Sequence, residues 1–209
     1  MGAGRTDEQA YAPVCMTVDG VTIGYVAASC AENTIYTLEA TPTEPGIAWC
    51  YENERFVQSV READAHADFV VVLPHWGVEH TTTLTDQQVN YAHQYIDAGA
   101  DIVVGAHPHV LQGIEYYNGK PILYSLGNFW FDGYNIFTAL AEVQIQGLIS
   151  PDGSVEENPT VTLIIHPGVQ YQVFTSWEEG TDVGATALHQ LEDISVNVTI
   201  SEDGVVRAA

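Results

Sequence analysis

The stretch that decides the fold begins at Asp68-Phe69-Val70-Val71-Val72-Leu73-Pro74-His75 and continues to His109. A short unbroken run of β-branched and aromatic residues predicts a strand that is buried on both faces. Thr85-Asp86-Gln87-Gln88 has the pattern of a helix capping box, and Gly99 suits the end of the helix that follows. Residues 101–104 predict a second buried strand. The stretch therefore predicts a βαβ unit with parallel strands.

The rest of the chain predicts two hairpins and a run of antiparallel strands around this unit. The turns are Asp19-Gly20, between residues 13–18 and 21–28, and Asn118-Gly119, between residues 112–117 and 121–126. Residues 29–50 lack periodicity and predict a long surface loop of the kind that borders a site. The other predicted elements are helices at 52–65 and 183–193 and strands at 137–148, 159–166, 169–174 and 195–200.

The length of 209 residues predicts one sizeable domain, or one domain with a small appendage, and we take residues 1–209 as a single domain. The composition excludes several partners. Five basic residues stand against 28 acidic ones, for a formal net charge of −23. Nucleic acids and anionic membranes need Lys and Arg, so both are excluded as partners. We expect no membrane contact by this segment, because it has no run of roughly 18 to 20 apolar residues. Cys15, Cys30 and Cys50 fit no metal or redox spacing; buried thiols are favoured, and one disulfide stays open.

Three histidines follow the two predicted buried strands directly. His75 ends the first strand, and His107 and His109 follow the second, separated by Pro108. Ligands bind beyond the carboxyl ends of parallel strands, and two residues two apart on an extended segment point the same way. Imidazole is a good ligand for zinc, iron, manganese and nickel. These positions predict that His75, His107 and His109 share a divalent-metal site.

Two further polar residues lie at strand ends and are candidates for a catalytic role. Glu79 comes shortly after His75, and a capping or salt-bridging role is equally compatible with its position. Asn128 follows a third predicted strand, where its amide could orient a ligand or substrate or could cap a turn. The remaining histidines have no such context and are predicted to lie on the surface or in packing; they are His66, His80, His93, His166 and His189.

Residues 68–132 contain four motifs in order: Leu73-Pro74-His75-Trp76-Gly77-Val78-Glu79, Val104-Gly105-Ala106-His107-Pro108-His109, Tyr124-Ser125-Leu126-Gly127-Asn128-Phe129 and Phe131-Asp132. Together these motifs resemble the bacterial capsule-synthesis family (CapA, or poly-γ-glutamate synthesis), and the resemblance is dense over this range. The resemblance implies a calcineurin-like metallophosphatase αββα sandwich, with two packed mixed sheets flanked by helices. By the same resemblance, His75, His107 and His109 match metal ligands, and the metal is Mn, Zn, Fe or Mg.

The chain departs from the family in its N-terminal part. The family carries an early Asp, an Asn-Leu-Glu segment and an Asn-Asn-His segment, and none of them occurs here. The chain is therefore predicted to be the C-terminal portion of a longer protein, with the sandwich truncated at its N-terminus. Paired metals need bridging carboxylates, which three imidazoles do not supply. We expect this portion to bind at most one metal weakly and to show little activity.

The resemblance implies a protein of capsule or poly-γ-glutamate biosynthesis that is a metal-dependent hydrolase when intact. Two alternatives stay open: a non-catalytic component that binds or exports an envelope polymer, and a mononuclear zinc amidohydrolase with Glu79 as base. The implied partners are an anionic envelope polymer or a phosphoester substrate, together with other capsule-synthesis proteins. The implied location is outside the cytoplasm, anchored to the membrane through a segment absent here.

Overall fold

The computed structural model describes residues 2–30, 38–51, 53–131, 135–147, 160–172 and 174–209. Contacts along the chain group it into two compact units. The first unit comprises Met1–Gly77 and Thr85–Gly105, and the second comprises Val78–Leu84 and Ala106–Ala209. The single domain over residues 1–209 stays a prediction. Positions that entered predictions but lie outside the described residues are 31–37, Glu52, Asp132, 148, 159 and 173.

The described residues form helices and strands in alternation, followed by a run of strands. The helices are α1 (Asp7–Tyr11), α2 (Asn53–Asp64), α3 (Asp86–Asp97) and α4 (Asp182–Asp193). The strands are β1 (Ala3–Gly4), β2 (Val14–Val18), β3 (Val21–Ser29), β4 (Gly46–Ile47), β5 (Phe69–His75), β6 (Ile102–Val104), β7 (Leu111–Tyr117), β8 (Lys120–Leu126), β9 (Ile136–Gln146), β10 (Thr160–Tyr171), β11 (Phe174–Trp177), β12 (Val198–Ile200) and β13 (Val205–Ala208). None of the described helices has the length and apolar character that a membrane crossing requires.

In the first unit, the strands β2, β3, β5 and β6 lie side by side. β3 and β5 pair in parallel, as do β5 and β6, while β2 pairs antiparallel with β3. Helix α2 connects β3 to β5, and α3 connects β5 to β6, so the predicted βαβ unit is confirmed. Phe56 of α2, Tyr95 of α3 and Val72 of β5 are fully buried in its core. All five residues of the edge strand β2 are exposed.

Helix α3 starts and stops where its sequence predicts. The Thr85 hydroxyl accepts from the backbone N–H of Gln88, and the Gln88 side chain accepts from the backbone N–H of Thr85. This reciprocal pair satisfies two of the donors that every helix leaves unpaired at its start. At the other end, Gly99 has a φ of +112°, which disfavours residues with a Cβ. The capping box and the terminating glycine are confirmed.

The described part of residues 29–50, which omits 31–37, differs from the predicted surface loop. β4 pairs antiparallel with β1, and Ala40 and Ala48 are buried. Cys30 and Cys50 form a disulfide, so the favoured prediction of buried free thiols is wrong for this pair. It is wrong for Cys15 too, which is free but exposed on β2. The spacing of the cysteines could not show the pairing, because residues 20 apart in sequence come within 5.0 Å of each other, Cα to Cα, only through the tertiary fold.

The second unit contains the predicted Asn118-Gly119 hairpin and a separate antiparallel sheet. β7 and β8 flank the turn, in which both residues have positive φ. In the sheet, β9 pairs with β10 along its whole length, and β11 and β13 also pair with β10. Helix α4 packs against β7, β10 and β12. The mixed α/β class with sheets flanked by helices is confirmed.

Two strand predictions in the second unit need correction. Residues 159–166 and 169–174 were predicted as separate strands, but β10 continues through Pro167-Gly168. Position 168 requires a glycine, because the Trp177 ring lies where a Cβ would point. The predicted final strand at 195–200 begins only at Val198, and a further strand, β13, follows the turn at Gly204. The signal for β13 was the Asp203-Gly204 turn before two valines.

Candidate functional site

His75 is the exposed last residue of β5 in the first unit. The next residue, Trp76, is buried and stacks on Tyr95, with ring centroids 6.2 Å apart. Gly77 then takes a φ of +87°, and a Cβ there would lie within 2.7 Å of the Gln88 side chain. A glycine is therefore required where the chain leaves the strand. The buried tryptophan and this turn fix the position at which His75 is presented.

His107 and His109 belong to the second unit, and their rings lie with centroids 6.2 Å apart. The predicted extended segment is wrong, because His107 has a φ of +104° and His109 a φ of +61°. The backbone is bent at both residues. Pro108 between them accepts a hydrogen bond at its carbonyl from the backbone N–H of His80, at 2.8 Å. The two imidazoles are thus brought close by a bent loop and not by strand alternation.

His80 joins this pair, although its sequence context predicted a surface or packing role. Its ring stacks on that of His109, with centroids 6.0 Å apart and planes 25° apart. Glu79 lies beside both rings, with one carboxylate oxygen 3.8 Å from His109 Nε2 and the other 3.8 Å from His80 Nε2. We call Glu79, His80, His107, His109 and Asn128 the histidine cluster. The sequence feature that could have identified His80 as a site residue is its position directly after Glu79.

Backbone strain concentrates in the histidine cluster. Among the described residues, six that are not glycine have a positive φ, and His80, His107 and His109 are three of them. Such conformations cost on the order of 1–3 kcal/mol each and persist where the surroundings enforce them. Strain of this kind gathers at functional sites, so its place here marks the cluster as the candidate site.

A chain of hydrogen bonds runs from His109 into the interior of the second unit. His109 Nδ1 lies 2.6 Å from Asn128 Oδ1, and Asn128 Nδ2 donates to Gln170 Oε1 at 3.2 Å. Gln170 Nε2 in turn donates to the backbone carbonyl of Phe131. Asn128 and Gln170 are both buried. Sequence reasoning missed Gln170, whose only signal was an amide within an apolar strand.

The histidine cluster contains side chains of the types that bind divalent metals, but their described arrangement is not that of a metal site. Within the part of the chain that the structure describes, no three side chains of His, Cys, Asp or Glu are placed so that they could hold one ion. Metal-binding histidines typically donate their second ring N–H to an oxygen acceptor, and His109 Nδ1 lies 2.6 Å from an atom of that kind, Asn128 Oδ1. His109 Nε2 and the Glu79 carboxylate are the adjacent candidate donors. The predicted metal set His75, His107 and His109 stays a prediction.

A second group of polar side chains surrounds His166 on β10. Its Nε2 lies 3.0 Å from a Glu142 oxygen, and its Nδ1 lies 3.1 Å from a Glu179 oxygen. Hydrogen bonds from Gln144 and from His166 hold the pKa of the exposed Glu142 carboxyl below its usual range. His166 therefore bridges two surface carboxylates, in line with its predicted surface role.

Comparisons with known proteins point to one family. The model described as "Bacterial capsule synthesis protein PGA_cap" matches residues 1–133. The PGA biosynthesis protein CapA of Bacillus subtilis (strain 168) is 45% identical over 115 residues, which are 55% of this chain and 30% of that protein. The capsule biosynthesis protein CapA of Bacillus anthracis is 38% identical over 138 residues, covering 63% of this chain and 32% of that protein.

Solved structures match more distantly. A putative 5′-nucleotidase from Staphylococcus aureus, crystallised with α-ketoglutarate, has a TM-score of 0.42 at 17% identity and covers 87% of this chain and 33% of its own. A phosphatase from Mycoplasma pneumoniae has a TM-score of 0.40 at 9% identity, covering 79% and 55%. The chain spans about a third of the length of the two Bacillus relatives.

Proposed function

The chain belongs to the bacterial capsule synthesis protein family PGA_cap, and on that premise we propose that it serves capsule-polymer synthesis through a metal-dependent hydrolytic site. Two relatives are named for PGA biosynthesis and for capsule biosynthesis. The observation that carries the proposal is the His109–Asn128 hydrogen bond of 2.6 Å beside Glu79. It leaves His109 Nε2 next to the Glu79 carboxylate, and imidazole nitrogen and carboxylate oxygen are both common ligands of divalent ions.

Four residues of the histidine cluster and His75 each have a task in this proposal. His107 and His109 would hold the metal, which supplies an activated water or a polarised phosphoryl or amide group. Asn128 orients the His109 ring. Glu79, 3.8 Å from His109 Nε2, is placed to accept a proton or to balance positive charge. His75, in the first unit, is proposed as a third ligand on the strength of its motif.

The negative charge of the second unit bears on how an anionic substrate could be attracted to it. Between Lys120 and Arg207 the sequence holds twelve Asp and Glu residues and neither Lys nor Arg. A polyanionic polymer or a phosphoester would find no cationic side chain along this segment. Bound divalent cations are one source of positive charge there, because they can reverse the local sign. The proposed metal therefore serves in substrate attraction as well as in chemistry.

A non-catalytic role is the second candidate, favoured by one observation. The described residues do not hold three ligand side chains in a metal-binding arrangement. In this alternative the chain binds or helps to export an envelope polymer. A mononuclear zinc amidohydrolase with Glu79 as base is a third possibility. The partners would be other capsule-synthesis proteins, and the location would be outside the cytoplasm.

The deciding experiment compares metal binding and turnover in matched variants. The intact protein is dialysed against Mn²⁺ or Zn²⁺, its metal content is measured by elemental analysis, and hydrolysis of a generic phosphoester is followed. His109→Ala is expected to lose metal and turnover, whereas His189→Ala, on the exposed face of α4, is expected to keep both. Metal retained without turnover, together with polymer binding, would favour the non-catalytic role. Equal metal content in both variants would refute the site.

A further inference from the structure

We infer that the buried amide of Gln170, acting through Asn128, holds His109 in the tautomer that carries its proton on Nδ1. Gln170 is fully buried and lies in β10, far along the sequence from the motif that contains His109. Its hydrogen bond to Asn128 places it one step away from the imidazole, so its role is that of a positioning residue. The consequence for metal binding rests on the function proposed above, whereas the tautomer itself does not.

The direction of the hydrogen-bond chain follows from its last member. The backbone carbonyl of Phe131 can only accept, so the Gln170 atom that meets it must be the NH₂ group. Gln170 Oε1 then faces Asn128. Of the two ends of the Asn128 amide, only the NH₂ group can donate to that oxygen. Asn128 Oδ1 is consequently the atom that faces the imidazole.

The same logic assigns the proton on His109. Asn128 Oδ1 has no hydrogen to give, so the bond of 2.6 Å requires a proton on His109 Nδ1. In a neutral imidazole the other nitrogen, Nε2, is then left with its lone pair. Reversing the chain would turn two like atoms toward each other at a buried position, where unsatisfied polar groups are costly. Burial of both amides therefore keeps the polarity fixed.

The tautomer determines which atom faces the rest of the cluster. Nε2 of His109 lies 3.8 Å from a Glu79 oxygen, and the stacked His80 ring restricts rotation of the imidazole. An unprotonated Nε2 can ligate a metal or accept a proton, and a protonated one can do neither. Gln170 therefore acts on the site indirectly: it orients the Asn128 amide, which in turn sets which nitrogen of the His109 ring carries the proton.

The tautomer can be observed directly in the metal-free protein. Long-range ¹H–¹⁵N correlation spectra at roughly pH 9, above the usual titration range of histidine, distinguish the two nitrogens. The His109 signals are assigned by their loss in His109→Gln. We expect a protonated Nδ1 and an unprotonated Nε2, together with slow exchange of the Gln170 side-chain amide protons. A proton on Nε2 in the wild-type protein would overturn the inference, whatever the variants do.

Three variants test the role of Gln170. Gln170→Met keeps the side-chain length without polar atoms and should give a mixture of tautomers. Asn128→Asp keeps an acceptor next to the ring and should retain the Nδ1 proton. Gln172→Met, at an exposed position beyond the same strand, is the matched control and should change nothing. A single Nδ1-protonated form in Gln170→Met would show that Gln170 is dispensable.

Metal affinity provides a second measurement. Isothermal titration with Zn²⁺ should show that Gln170→Met binds about 10- to 100-fold more weakly than wild type, as is typical when a partner of a metal-binding histidine is lost. Gln172→Met should bind like wild type. If the wild-type protein carries the Nδ1 proton but binds no zinc, the inference stands and the proposed metal site fails.

Discussion

The disulfide between Cys30 and Cys50 makes a quantitative prediction about stability. The two residues are 20 apart in sequence, with Cα atoms 5.0 Å apart. The chain-entropy relation for a closed loop of that length gives a stabilisation of about 3 kcal/mol at 25 °C. With a urea m-value of about 2–3 kcal/mol/M, its loss should lower the unfolding midpoint by about 1 M or more.

The assay is urea unfolding of three proteins, followed by circular dichroism. The Cys30→Ala/Cys50→Ala variant and the wild-type protein under strong reductant should both unfold at the lower urea concentration. Cys15→Ala is the matched control, because Cys15 is exposed and free, and it should unfold like wild type. The stabilising role is refuted if reductant leaves the wild-type midpoint unchanged although alkylation shows that Cys30 and Cys50 were both reduced. The disulfide also agrees with the proposed location, because such bonds persist in oxidising compartments.

Three other predictions concern stability. Tyr95→Phe removes the hydroxyl that donates to Asn53 Oδ1 at 2.8 Å inside the first unit, and the unsatisfied acceptor should cost about 1–3 kcal/mol in urea unfolding; no loss would refute the bond. The pKa of Glu142 in the folded protein is lower than its unfolded value of 4.5, so its contribution to the free energy of unfolding is present above pH 4.5 and is lost as the pH falls through the folded pKa. Glu142→Gln should therefore flatten the acid side of the curve of unfolding free energy against pH. Gly99→Ala, where the Asp64 side chain leaves no room for a Cβ, should cost more than Gly119→Ala, whose surroundings are open; equal unfolding midpoints would contradict this.

The sequence predicts best the elements whose cause is local. β5 follows from an unbroken run of apolar residues, and α3 follows from the Thr85–Gln88 capping box. The β7–β8 hairpin follows from Asn118-Gly119, whose positive φ values suit that turn. In each case the residues that decide the structure are neighbours in the chain, so their pattern contains the necessary information.

The candidate site was only partly predictable, because its geometry depends on distant residues. His107 and His109 were found from their motif, but the bend that brings their rings together depends on a bond from the His80 backbone to Pro108. Gln170 lies 42 residues from Asn128, and no local pattern links them. The same limit applies to Cys30 and Cys50, since a pairing between distant residues cannot be read from their spacing.

The exposed edge strand β2 has a consequence for the behaviour of the protein in solution. Val14, Met16 and Val18 lie on one face of it, and the strand carries no charge. Such an edge is a template on which a strand of another molecule can pair. The net charge of −23 keeps copies apart, but only over the Debye length, which shrinks to about 3 Å at 1 M salt. Purification at low ionic strength should therefore keep the protein monodisperse, whereas concentrated salt should drive it toward self-association through this edge.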